Sequence, residues 1–247
     1  MSELAGQVAI VTGGGRGIGR AICQRLAGEG CAVVVNYHSS RQAADDLVAE
    51  IHAGSGQAVA VGGSIADPAT GPALAAAALD QFGRIDVLVN NAGITRDVTV
   101  RKMTDADFTQ IIDTNLVGTH RVTKAVLDHL CDAGGGRIVT IASFVAQLGN
   151  YGQANYAASK GGLIAWTKTL AYEVARFGVT VNCVCPGFID TDMLRAVPEH
   201  IRERLLARVP LGRFGDPDEI ARGVLYLVRD GGYVTGTCLD INGGLYM

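Results

Sequence analysis

Lysine is scarce in this chain. Of its 21 basic residues 17 are arginine, and the four lysines are Lys102, Lys124, Lys160 and Lys168, so each lysine position carries information. Positive charge is not in excess: the net charge is −3 and the isoelectric point about 5.9, which argues against a nucleic-acid groove or an anionic-membrane binder. No apolar run approaches the 18 or more residues of a membrane helix. The opening Met1-Ser2-Glu3-Leu4 lacks the basic start and long apolar stretch of a secretory signal, so a soluble, cytoplasmic protein with reduced thiols is expected. The six cysteines (Cys23, Cys31, Cys131, Cys183, Cys185 and Cys238) contain no CxxC pair and no zinc-like histidine spacing, and no metal is expected. Cys183 and Cys185 stand in an apolar run and read as small buried hydrophobes.

What is present is apolar mass and glycine. Hydrophobic residues make up 48% of 247 residues and charged residues only 18%, which excludes a disordered chain. Thirty-three glycines imply close packing and backbone that must approach something. Continuous β-rich apolar runs at 8–11, 32–35, 58–61, 85–89, 137–141, 179–184 and 238–241 read as seven strands covered on both faces. Helix-length segments such as 17–29, 41–53 and 68–82 lie between them. This repeating order predicts an α/β protein with a doubly wound parallel sheet and helices on both faces. No linker or charge run divides the chain, so 1–247 is expected to be a single domain. Segment 189–211 breaks the rhythm, with Pro198 and Pro210 near its ends, and is a candidate substrate lid.

The first strand runs into Thr12-Gly13-Gly14-Gly15-Arg16-Gly17-Ile18-Gly19. Glycines here let backbone approach a phosphate, and the following helix offers its N-terminal N–H groups to an anion. The spacing is neither GxGxxG nor a Walker A loop, so tight packing alone is the competing explanation. After the second strand, Asn36-Tyr37-His38-Ser39-Ser40-Arg41 holds no carboxylate for a ribose 2′-hydroxyl. Asn36, His38 and Ser39 as neutral donors, with Arg41 and Arg16, suit a 2′-phosphate, so NADP(H) is favoured over NAD(H). Tyr156 and Lys160 stand at i,i+4, on one helix face. A phenol with its ordinary pKa near 10 is a poor acid–base group at neutral pH, and a neighbouring ammonium is expected to lower it. Ser143 ends the fifth strand thirteen residues upstream, at the carboxyl edge where α/β sheets place ligands.

Taken in order, Thr12-Gly-x-x-x-Gly-x-Gly19, Asn90-Asn91-Ala92-Gly93, Ser143, Tyr156-x-x-x-Lys160 and Pro186-Gly187 resemble the short-chain dehydrogenase/reductases over essentially the whole chain. The resemblance implies a Rossmann-type fold and a catalytic tetrad of Asn115, Ser143, Tyr156 and Lys160. Asn115 is the residue with which that family interrupts a long helix and holds a proton-relay water. By periodicity alone it reads as an ordinary polar helix residue. Cofactor contacts are implied at Gly13, Gly15, Arg16, Gly17, Ile18, Gly19, Asn91, Ala92 and Gly93. Further contacts are implied at Tyr156, Lys160, Pro186, Gly187, Ile189 and Thr191.

Within the family, the segments 91–97, 152–156, 186–193 and 242–247 are similar to those of 3-oxoacyl-[acyl-carrier-protein] reductases and of acetoacetyl-CoA reductases. That similarity implies NADPH-dependent reduction of a β-keto thioester by a homotetramer, with acyl carrier protein as a possible partner. Two departures stand out. The adenine-contacting Asp/Asn-Val pair appears here as Ser64-Ile65, and the often basic stretch before the fifth strand reads Asp132-Ala-Gly-Gly-Gly136. A reductase of another small ketone (a sugar, steroid or xenobiotic) is the alternative within the same enzyme class. A non-catalytic NADPH-binding regulator is the alternative outside it, and the filled tetrad counts against that reading.

Overall fold

Strand and helix alternate along the chain in the computed structural model, which describes residues 4–247. The first half runs β1 (Val8–Val11), α1 (Gly17–Gly28), β2 (Ala32–Tyr37), α2 (Arg41–Ala53), β3 (Ala58–Gly62), α3 (Thr70–Phe82) and β4 (Val87–Asn90). Next come α4 (Asp105–Ile112), a π-helical segment (Asp113–Gly118), α5 (Thr119–Asp132), β5 (Gly136–Ile141), α6 (Val145–Leu148) and α7 (Ala154–Val174). The chain closes with β6 (Val179–Pro186), α8 (Asp192–Arg195), α9 (Glu199–Leu206), α10 (Pro217–Arg229) and β7 (Cys238–Ile241).

The seven strands form one sheet in the order β3-β2-β1-β4-β5-β6-β7, and every pairing is parallel. Alternation along each strand divides its side chains between two layers. Ala9, Val11, Val33, Val35 and Val87 join Ile22, Leu26, Leu47 and Val224 on the side of α1, α2 and α10. Val8, Ile10, Val34 and Leu88 join Leu74, Val122, Val126 and Leu170 on the side of α3, α5 and α7. Both faces are covered along β1, β2, β4, β5 and β6, which is why these strands read as continuous apolar runs, while the edge strands β3 and β7 are mostly half-buried. Each buried Val, Leu or Ile contributes about 1.5–3 kcal/mol. The strand order reverses between β1 and β4, and this opens a crevice beyond the carboxyl ends of the two strands.

The element bounds differ from the sequence expectation in small, explicable ways. Strand β4 starts at Val87 and not at 85, because the Asp86 carboxylate accepts from the Val8 N–H (2.9 Å) and from Arg84 (2.7 Å) at the strand's entrance. Helix α3 starts at Thr70 and not at 68. Asp67 accepts the Ala69 N–H (2.9 Å) and Thr70 donates its hydroxyl to the Ser64 carbonyl (2.7 Å), which holds the preceding residues in a turn. Strands β2 and β3 each run further, pairing Tyr37 with Gly62. Helix α1 ends at Gly28, one residue short of expectation.

Segment 189–211 folds into α8 and α9. Helix α9 has no buried residue. The segment is anchored near its ends, by a bridge from Ile189 to Gly215 and by the Leu211 N–H donating to the Gly243 carbonyl (3.1 Å). Among the described residues no helix is long and apolar enough to cross a membrane.

Candidate active site

The glycine loop is tied to the loop after β4 across the crevice. Thr12 Oγ1 accepts the Asn91 N–H (2.9 Å) and the Ala92 N–H (3.0 Å), and Asn91 Nδ2 donates to the carbonyls of Thr12 (2.9 Å) and Gly13 (3.0 Å). A Cβ at position 19 would lie 2.2 Å from the Gly13 carbonyl oxygen, so the helix approaches the loop this closely only with glycine there. Gly13 and Gly17 take φ of +61° and +53°, the left-handed region that favours glycine. Gly15 is buried against Ala44, Ile18 leans on the α1–α2–α10 layer, and Arg16 is exposed at the helix entrance. The first turn of α1 has neither a side-chain cap nor an acidic residue, so its N–H groups stay available to an anion. Its glycine spacing and its place after strand one are what marked this loop in the sequence.

The loop after β2 is divided. Asn36 is 1% exposed and fully engaged inside: its Oδ1 accepts the Gly13 N–H (3.2 Å), while Nδ2 donates to the carbonyls of Val61 (3.2 Å) and Gly63 (3.0 Å). The expectation that its side chain faces a 2′-phosphate is therefore corrected. Asn36 supports the glycine loop from beneath. His38, Ser39 and Arg41 are exposed, with Arg41 in an i,i+4 ion pair to Asp45 (3.5 Å). Ser64 is half-buried and its Oγ accepts the Ala66 N–H (3.3 Å), whereas Ile65 points into the α3–α5–α7 layer.

The Asn115 side chain occupies the π-helical segment. Its Oδ1 accepts the Ile94 N–H (2.8 Å), and its Nδ2 donates to the Ile94 carbonyl (3.0 Å) and to Ser159 Oγ (3.1 Å). Thr119 Oγ1 donates to the Asn115 carbonyl (2.7 Å), and Gly118 packs so near Ile65 that a Cβ would sit 2.8 Å from the Ile65 carbonyl oxygen. These contacts hold the wide turn that separates α4 from α5, a departure from regular helix common at functional sites. Ser159 donates in turn to the Tyr156 carbonyl (2.8 Å). Asn155, fully buried, takes the Tyr156 N–H (2.8 Å) and donates to the Arg96 carbonyl (3.1 Å). The start of α7 is thus fastened to the loop after β4 and to the π-helical segment by side chains that sequence reading did not single out. Their only signal was proximity to the tetrad in Asn155-Tyr-Ala-Ala-Ser-Lys160.

Lys160 is 3% exposed and donates to the Ile141 carbonyl at the end of β5 (2.7 Å), with its ammonium 5.7 Å from the Tyr156 ring centroid. Gly93 faces both partners. A Cβ there would lie 3.3 Å from Asn115 Oδ1 and 3.4 Å from Lys160 Nζ. Burial pushes the Tyr156 phenol up to about 12, opposed by a hydrogen bond from Ser143 and reinforced by the charge of Asp97. Burial pulls the Lys160 ammonium down to about 8. Burial outweighs the expected lowering of the phenol by Lys160: desolvation dominates both side chains. A phenol held neutral in this way is a proton donor, and a lysine near 8 carries its charge at neutral pH.

Of the segment Pro186, Gly187, Ile189 and Thr191, it is Thr191 that meets the glycine loop, at Gly17. Gly187 sits so close to Asn242 that a Cβ would lie 2.7 Å from its carbonyl oxygen, Ile189 is buried in the α1–α10 layer, and Thr191 comes up against Gly17. The Phe144 N–H donates to the Pro186 carbonyl (3.2 Å), and the Phe144 and Phe188 rings meet edge-on at 5.0 Å. A cleft of about 690 Å³ lies behind the loop, lined by Gly17, Arg20, Arg25, Asp190, Thr191 and Arg195. It touches the cradle but lies away from Tyr156, where the chemistry-bearing groups converge.

Comparison with known proteins agrees with this geometry. Residues 7–202 match the family described as short chain dehydrogenase. A 3-oxoacyl-[acyl-carrier-protein] reductase of Synechocystis is 47% identical, with all of both chains aligned. The 3-oxoacyl-[acyl-carrier-protein] reductase FabG of Escherichia coli K12 is 45% identical over 98% of each chain, and that of Staphylococcus aureus Mu50 is 42% identical over 97% of this chain and 98% of its own.

Proposed function

The chain belongs to the short-chain dehydrogenase family, and on that premise we propose that it reduces the 3-keto group of a 3-oxoacyl thioester to the 3-hydroxyacyl thioester, using NADPH. It is an oxidoreductase of CH–OH groups that works with a nicotinamide cofactor. The observation that carries the reading is the convergence of Asn115, Ser143, Tyr156 and Lys160 beside Gly93, at the carboxyl edge of the sheet and next to an uncapped helix N-terminus.

The cradle fits a dinucleotide: Gly13 and Gly17 give the loop its left-handed turns, Gly19 lets α1 close on the Gly13 carbonyl, and the uncapped first turn of α1 meets the charge of a pyrophosphate. Arg16, Ile18, Asn91, Ala92, Gly93, Pro186, Gly187, Ile189 and Thr191 surround the same path, with His38, Ser39, Ser64 and Ile65 at its adenosine end. When bound there, the reduced nicotinamide supplies a hydride to the keto carbon. Ser143 Oγ and the Tyr156 hydroxyl donate hydrogen bonds to the keto oxygen as it gains negative charge. The Tyr156 O–H bond then breaks and its proton passes to that oxygen. The Lys160 ammonium offsets the phenolate left behind, and Asn115 keeps α7 and the loop after β4 in register while solvent returns the proton.

Preference for NADPH rests on the surface of 38–41, where no carboxylate stands to repel a 2′-phosphate, with Arg41 and the nearby exposed Arg16 to supply charge. His38→Asp is expected to shift preference toward NADH. Equal efficiency of the unaltered enzyme with both cofactors would contradict this basis. We read 1–247 as one catalytic unit with 189–211 as its substrate lid, acting as a homotetramer. Acyl carrier protein is the carrier on the strength of the relatives' names. Since Asp132 and three glycines stand where a basic docking patch would help, CoA thioesters are expected to compete well at moderate salt.

NADPH oxidation with acetoacetyl-CoA, carrier-protein thioesters and simple ketones, run side by side, tests the proposal. Thioester turnover well above ketone turnover is expected. Preference for a ketone lacking the thioester would overturn it.

A further inference from the structure

Three thiols outside the catalytic cluster lie together at the β6–β7 edge of the sheet. Cys183 and Cys238 are register partners on these parallel strands, and Cys185 lies two residues along β6, on the same face as Cys183. The three sulfur atoms are all within 4.8 Å of one another, with Cys183 and Cys238 3.1 Å apart. Four thiolates about 2.3 Å from a zinc ion, tetrahedrally arranged, are separated from each other by about 3.8 Å. One observed spacing is 3.1 Å and none exceeds 4.8 Å, a range that includes that distance. Cys183 and Cys185 are fully buried against Ala142 and Ile164, while Cys238 keeps partial exposure and opens the cluster to the surface.

The surroundings suit a cation held by thiolates. Asp240 is the register partner of Cys185 and stands on the same face as Cys238; its exposed carboxylate accepts a long bond from Gln147 (3.5 Å). A carboxylate or a water can complete coordination from that side. No ligand motif showed in the sequence because the third thiol arrives 55 residues after Cys183 and meets it only through strand pairing.

We propose that Cys183, Cys185 and Cys238 form a binding site for one soft, thiophilic d10 cation, with zinc(II) the expected occupant and the fourth position open toward Asp240 and solvent. As each sulfur–metal bond forms, the corresponding S–H proton leaves to solvent, so three protons are released and no oxidant or reductant is required. The ion would tie the edge strand β7 to β6 and takes no part in the reduction.

The test is titration of the full-length, reduced protein with Cd(II), followed by the ultraviolet thiolate-to-metal charge-transfer band and by thermal denaturation with and without Cd(II). The wild type and Cys131→Ala, which alters a thiol on α5 away from the cluster, are expected to show one equivalent of Cd(II) per chain, the charge-transfer band and a raised Tm. Cys238→Ala, at the partly exposed position, is expected to keep the metal-free Tm and NADPH oxidation while losing the band and the metal-dependent rise. A wild-type protein without the band, or a Cys238→Ala variant that keeps it in full, would overturn the proposal.

Discussion

The crevice around Tyr156 and the segment 189–211 are held in opposite ways. In the crevice, polar side chains with little or no exposure bond to backbone far away in sequence: Asn36 to Gly13 and Gly63, Asn115 to Ile94, Asn155 to Arg96, and Lys160 to Ile141. In the other region, α9 buries no residue and is restrained mainly at its ends, with Arg208 reaching Asn150 (3.1 Å) and lying over the Phe188 ring (5.6 Å). An unpaired buried polar group costs about 1–3 kcal/mol, so the crevice is fixed by penalties that any displacement would incur. No comparable penalty holds α9. The difference supports the proposed reading, with chemistry in the first region, built before substrate arrives, and substrate choice in the second.

The largest expected effect is in the crevice. Tyr156→Phe removes the proton donor while keeping the ring, so kcat should fall by about 10²–10⁴ with the cofactor dissociation constant and Tm little changed. Steady-state kinetics beside a fluorescence titration of NADPH binding checks this. Retained turnover would remove Tyr156 from the chemistry. Asn115→Ala should come next. It leaves the Ile94 N–H and carbonyl and Ser159 without their partner, which costs about 1–3 kcal/mol of stability by urea denaturation. Displacement of α7 by a fraction of an ångström to an ångström should lower kcat by about a hundredfold. A variant with lowered stability and full kcat would show that Asn115 holds the fold and nothing more.

The pH dependence follows from Lys160. Its ammonium, lowered by burial to about 8, is present below that pH and lost above it, whereas the Tyr156 phenol stays protonated up to about 12. The kcat/KM of reduction should therefore be level toward neutral pH and fall by about tenfold per unit above pH 8. A profile level through that range would contradict the role given to the ammonium. The smallest effect belongs to the other region. Arg208→Ala should change stability by less than about 0.5 kcal/mol and raise KM for the thioester about twofold, with kcat held. A loss of kcat instead would erase the contrast between the two regions.

Much of this architecture was legible in the chain. Strands covered on both faces leave unbroken apolar runs, and all seven appear where those runs stand, within a residue or two at their ends. The glycine loop and the Tyr156–Lys160 face were legible because local spacing dictates them. Ser143 was legible from its place at the end of β5. What sequence did not disclose depends on partners distant along the chain. Asn36 looks like one polar residue among several in its loop, and only the approach of Gly13 and of the 61–63 backbone turns it inward. Asn115 has the periodicity of an ordinary helix residue, and the wide turn exists because Ile94, Ser159 and Ile65 meet it from three other elements. The rise of the phenol pKa was missed for the same reason: i,i+4 spacing shows a neighbouring ammonium but not the burial that outweighs it.

The division of labour between the two regions is tested most directly by measuring kcat and kcat/KM of Asn115→Ala and Arg208→Ala on a 3-oxoacyl thioester and on a small unbranched ketone. The expected result is that Asn115→Ala lowers kcat by one common factor for both substrates, while Arg208→Ala changes kcat/KM for the thioester and leaves the ketone unaffected. Substrate-dependent losses in Asn115→Ala, or equal losses on both substrates in Arg208→Ala, would contradict it.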